Sequence, residues 1–92
     1  MSDSNAELYA EAILGKDAEE FLTSDIGRFV IARADEEIQE AIRQLKTCFP
    51  WRRRKITELQ NRIWRAESLQ SWLGELIIRG RQAMDQLEQE EA

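Results

Sequence analysis

The segment Phe49-Pro50-Trp51-Arg52-Arg53-Arg54-Lys55 sets four consecutive cations beside two aromatic rings and the only proline of the chain. Guanidinium forks pair bidentately with phosphate or carboxylate, and an indole can stack on a base, so such a run can hold an anionic partner. Arg62 and Arg65 continue the positive charge downstream, while Arg43 and Lys46 lead into it. Three readings stand side by side. Trp51, Arg52, Arg53, Arg54, Lys55, Arg62 and Arg65 contact nucleic acid; or they meet an acidic protein surface, such as 35–40 or the Glu-rich C-terminal stretch of a neighbouring subunit; or the cluster is a solvated end. Four consecutive helical residues spread around a full turn, so the cations do not form one stripe.

The remaining chemical inventory is thin. There is no histidine, which excludes His-dependent triads, His-ligated metals and imidazole bases. Cys48 is the only cysteine, too few for a zinc cluster or an internal disulfide, and no glycine-rich loop resembles a phosphate cradle. The carboxylates cluster in Glu19-Glu20, Asp35-Glu36-Glu37 and the stretch from Glu88 to Glu91. Helical neighbours diverge by about 100°, so these pairs do not converge for acid–base work. Cys48 reads as a structural cysteine near a turn. The expectation is a non-enzymatic chain with no catalytic residues, no cofactor and no metal.

Charge is unevenly laid out behind the overall −5. Residues 1–42 hold eleven acids against three bases, a net of −8. Residues 43–65 hold eight bases against Glu58 alone, a net of +7, and 66–92 hold six acids against two bases, a net of −4. A mildly acidic chain thus carries one strongly basic zone. No apolar stretch approaches a membrane span, the polar start has no secretory core, and the lone cysteine suits a reducing compartment. A cytoplasmic location is expected, or a virion if the chain is phage-encoded.

Helices must position these charges. At 92 residues with 42% apolar content, one small folded domain is expected over 1–92, with 1–5 and 88–92 frayed. The pattern predicts a short helix over Ala6–Leu14 stopped by Gly15; then either Asp17 caps a second one with Glu20 completing a capping box, or Asp17-Ala18-Glu19-Glu20 is merely a solvated charge run. Thr23-Ser24-Asp25 supplies the next N-cap, and a long helix follows to about Cys48, with apolar residues three and four apart from Ile26 to Leu45. Pro50 ends it. A second long helix is predicted from about Trp51 to Leu87, on the seam Ile56, Leu59, Ile63, Ala66, Gln70, Leu73, Ile77, Gly80, Met84 and Leu87. Gln70 and Gly80 are irregular there: they either fix register and allow close approach, or are plain imperfections.

Two such helices make a long antiparallel αα-hairpin within an all-α fold. At about 1.5 Å per residue the first spans roughly 36 Å and the second roughly 55 Å. The N-terminal helices are the natural cover for the overhang. Leu69, Trp72 and Leu76 widen the apolar arc of the second helix beyond what one neighbour covers. Leaving three such side chains in water forfeits roughly 5–9 kcal/mol, so self-association through them is expected. Trp64 and Ile78 lie elsewhere on the wheel.

With Ala10-Glu11-Ala12-Ile13-Leu14-Gly15-Lys16-Asp17-Ala18 near the start and Asn61-Arg62-Ile63-Trp64-Arg65-Ala66-Glu67-Ser68 in the long helix, most of the chain resembles small helical proteins encoded among tailed-bacteriophage and prophage genes. Those proteins have no assigned activity, so no functional residue carries over. The resemblance implies an assembly or accessory role in a virion or its DNA handling. The leading expectation is a self-associating helical interaction module, a homo-oligomer without a membrane partner. The alternative is a nucleic-acid-binding accessory protein acting through the basic tip.

Overall fold

Ser24 and Pro50 punctuate the chain, and three helices result: α1 (Asp3–Thr23), α2 (Asp25–Thr47) and α3 (Arg53–Glu91). The computed structural model describes residues 3–91, and among them there is no strand, so the fold is all-α. Ser24 is extended, at φ −74° and ψ 159°, and its Oγ accepts the Gly27 N–H at 3.0 Å while donating to the Phe21 carbonyl at 2.6 Å. That is an N-cap, and it breaks two otherwise continuous helices at one residue. At the other turn the Arg52 N–H donates to the Phe49 carbonyl at 3.0 Å, and the Arg52 carbonyl accepts the Ile56 N–H. The long helix therefore starts at Arg53, two residues later than the expected Trp51, and it runs past Leu87 to Glu91.

Partner numbers fall along α3 as chain numbers rise through α1 and α2. The Tyr9 hydroxyl donates to Glu91 at 3.3 Å, Gly15 meets Gly80, and Gln70 Nε2 donates to Asp35 at 2.6 Å. α1 and α2 thus run end to end, both antiparallel to α3. α2 pairs with its first half, and α1 covers the overhang. The fold measures 61 × 27 × 15 Å, close to the roughly 58 Å expected of the 39 residues of α3 and little thicker than a single helix. It is a ribbon two helices wide and one helix deep.

The N-terminal expectations need correcting. α1 passes through Gly15 without stopping, and Asp17 lies in mid-helix, where it caps nothing. The reason is tertiary. Ala12, Gly15 and Ala18 are all buried and form a small-residue stripe, whose Gly15 lies against Gly80 and the Leu76 carbonyl of α3. Packing of that stripe outweighs the local cost of glycine in a helix, about 1 kcal/mol. Of the ends expected to fray, Met1, Ser2 and Ala92 lie outside the described residues, while 3–5 and 88–91 are helical.

The seam between the arms is thin. Its buried members are Ala12, Ala18, Ala34, Ala41, Ala66, Ala83, Leu59 and Leu87, with Gly15 and Gly80, while Gly27 is buried at the bend against Phe21. Leu59 is the one large side chain buried completely among the described residues. Alanines let helices approach closely but remove little apolar area from water. A compact folded chain of 10.8 kDa would expose about 5,500 Å², whereas this one exposes 7237 Å². The radius of gyration, 18.6 Å, likewise exceeds the about 12 Å of a compact 92-residue domain.

Candidate interaction surfaces

A ribbon one helix deep has two broad faces, and they differ. The polar ties between the arms, Tyr9–Glu91, Glu19–Arg81 and Asp35–Gln70, fall on one of them by helix periodicity. Arg81 Nε donates to Glu19 at 2.9 Å, and the Tyr9–Glu91 hydrogen bond lifts the phenol above its ordinary pKa, helped by the charge of Glu91. Gln70, half-buried at the edge of the seam, spans the two arms to reach Asp35.

The opposite face has no such tie among the described residues. Leu69, Trp72 and Leu76 of α3 lie on it, as do Leu14 and Phe21 of α1 and Ile26 and Phe29 of α2. Phe29, Val30 and Leu69 line one groove of about 370 Å³, closed at its floor by Ala34 and Ala66 and rimmed by Arg33, Glu37 and Arg65. Trp72 is 60% exposed, Phe29 69% and Ile26 67%, while Leu69 and Leu76 are half-buried. α1 thus covers the overhang of α3 without covering the apolar arc. Sequence reading found the α3 half of this face. It missed Ile26 and Phe29, because the three-and-four spacing of α2 reads them as seam residues beside Val30, and it missed Phe21 of α1, which the bend at Ser24 brings alongside the start of α2.

The basic run forms the tip of the ribbon. Phe49 and Trp51 stack on each other, ring centroids 4.7 Å apart and planes within 10°. Trp51, Arg52, Arg53, Arg54 and Lys55 surround one shallow hollow of about 360 Å³. None of these four cations has a carboxylate within ion-pair distance among the described residues, unlike Arg33, Arg43, Arg62, Arg79 and Arg81. Arg53, Arg54 and Lys55 occupy the first turn of α3, where the helix dipole already leaves positive charge.

Arg65 stays connected to the tip through Arg54, whereas Arg62 turns away toward the acids of α2. Arg62 pairs with Glu58 at 2.7 Å and faces Glu36, Glu37 and Glu40 across the hairpin. Arg65 borders the Phe29 groove, and on its other side shares a shallow outer surface with Arg54 and Trp64.

The far end of the ribbon is the tip's electrostatic counterpart. Glu7, Glu11, Asp85, Glu88, Glu90 and Glu91 gather there, and no Lys or Arg occurs in 1–15 or 82–92. The last turn of α3 is acidic at the negative end of its dipole. Both ends of α3 are therefore charged against the helix's own field.

Other chemistry is sparse among the described residues. No group of three His, Cys, Asp or Glu converges to hold a metal, and no helix is long and apolar enough to cross a membrane. Cys48, half-buried, caps α2. No protein-family model, curated protein or solved structure matches the chain.

Proposed function

We propose that the chain is a non-enzymatic helical interaction module that self-associates through its untied apolar face. The observation that carries this reading is Trp72, 60% exposed at the centre of a patch with Leu69, Leu76 and Phe29. Single exposed apolar residues are ordinary, but a contiguous patch on a monomer marks an interaction site. The surface excess gives the scale. Roughly 1,700 Å² beyond a compact fold is about twice what one partner contributes to an ordinary specific interface. Sedimentation or light scattering at micromolar concentration tests it: a dimer or higher species supports the reading, and a monomer throughout that range removes it. The resemblance to phage and prophage proteins adds the setting, a structural or accessory part of a virion or of its DNA handling.

A second reading rests on the tip. Four cations that hold no ion pair among the described residues, beside an exposed aromatic stack, suit the phosphates and bases of a nucleic acid. Retention on heparin or DNA that falls steeply with salt would favour it, since each phosphate contact releases counterions.

A further inference from the structure

We infer that the partner on the apolar face is a second copy of this chain, stacked face to face and antiparallel, with the twofold axis passing by Trp72. The inference rests on the self-association reading and adds its geometry. Trp72 lies at the midpoint of α3, nineteen residues from Arg53 and nineteen from Glu91. The bend at Ser24 divides the other arm nearly in half, so Phe21, Ile26 and Phe29 gather over the same middle. A patch centred on the ribbon's midpoint is self-complementary under a twofold axis perpendicular to it, which gives a closed, isologous contact.

Charge chooses the direction. Stacked in parallel, the two basic tips would lie on each other, and so would the two acidic ends. Stacked antiparallel, the basic tip of each copy meets the acidic end of the other; Arg54 and Glu90, each eighteen residues from Trp72, share its side of α3 and lead the contact. The N-terminus of each α3 then faces the C-terminus of its partner, and the mismatch at both helix ends is relieved in the same step. The tip and the acidic end of one chain stand at opposite ends of a 61 Å ribbon, so neither can serve the other within a chain.

Cys48 at the tip is the only cysteine and reports the direction without further substitution. Spin labels on it should lie roughly 55–60 Å apart in the dimer, twice the distance from Trp72 to the turn at about 1.5 Å per residue. A dimer with labels closer than about 40 Å overturns the antiparallel arrangement and leaves self-association standing. A monomeric mass at every concentration overturns both. Charge exchange gives an independent check. Arg54→Glu should weaken dimerisation by about tenfold or more, Glu90→Arg likewise, and the two together should restore it. A dimer that shows no such restoration, or a tip whose reversal abolishes heparin retention without changing the mass, overturns the pairing of tip and acidic end.

Discussion

Gly15 and Gly80 bring the backbones of α1 and α3 into direct contact: a methyl group built on either would stand 2.7 Å from the α-carbon of the other. The Leu76 carbonyl oxygen lies equally close to the Gly15 methyl, and the Glu11 carbonyl oxygen 3.1 Å from the Gly80 one. Nothing flexible is available to move aside, so an added methyl must drive the helices apart.

Gly15→Ala and Gly80→Ala should therefore destabilise the fold. Alanine gains about 1 kcal/mol of helix propensity, but overpacking costs about 1–3 kcal/mol and more when backbone is the obstacle. Gly74 in the same helix is the control, because a methyl there meets nothing within 4 Å. Gly74→Ala should gain about 0.5–1 kcal/mol. Denaturant midpoints ordered Gly74→Ala, native, then Gly15→Ala and Gly80→Ala would match; a stabilising Gly80→Ala would refute the close crossing.

This contact also shows what the sequence alone reveals and what it hides. The long helices, the Pro50 turn, the Ser24 cap and the fold-back onto the overhang all follow from periodicity and punctuation. Gly80 was visible as a place for close approach, because it interrupts an apolar seam. Gly15 was not. Its neighbours Ala12 and Ala18 carry so little apolar area that the stripe hardly registers as hydrophobic, and glycine next to a charged run reads as a stop. Its meaning lies on α3, 65 residues away. The apolar site was half legible for the same reason. Leu69, Trp72 and Leu76 exceed the needs of one neighbour on their own helix, whereas Phe29 reads as a seam residue of α2 beside Val30. Arg62 strayed from the basic zone because Glu58, one turn earlier, holds it.

The bend itself is open to test. Ser24→Ala removes the hydroxyl that caps α2 and should cost about 1 kcal/mol, while Ser24→Gly should cost only a few tenths. Gly27→Ala should cost more than either. A methyl on Gly27 would fall 1.5 Å from the Phe21 carbonyl oxygen, so the bend must open and pull α1 from α3. Thermal unfolding monitored by circular dichroism ranks the three; a harmless Gly27→Ala would mean that the arm does not bend there.

Trp72→Glu should reduce the mass of the assembly to that of a single chain while most helicity persists. The side chain is 60% exposed within its own chain, so the substitution disturbs little there, but it buries a carboxylate in any interface built on that face. Trp64, 65% exposed and about a quarter turn away around α3, serves as the matched control. Trp64→Glu should leave the mass unchanged. If Trp64→Glu dissociates the assembly and Trp72→Glu does not, the interface lies on the outer edge of α3 and the untied face is free.

Neutralising the tip should separate folding from association. Arg53, Arg54 and Lys55 crowd the positive end of the α3 dipole, an arrangement that costs about 0.3–1 kcal/mol per charge at low salt. Changing them to Gln should therefore raise the stability of the dissociated chain, measured at concentrations too low for assembly. The same change should weaken the assembly, because the acidic end of the partner loses its counter-charge. Added salt should act on the native chain in the same two directions, since it screens the repulsion at the helix end and the attraction between copies alike. The two measurements, stability at high dilution and mass at high concentration, must move oppositely. A variant that gains stability with its mass unaltered would show cations held against the dipole for some other ligand, and heparin retention of the native chain would then identify an anionic polymer as that ligand.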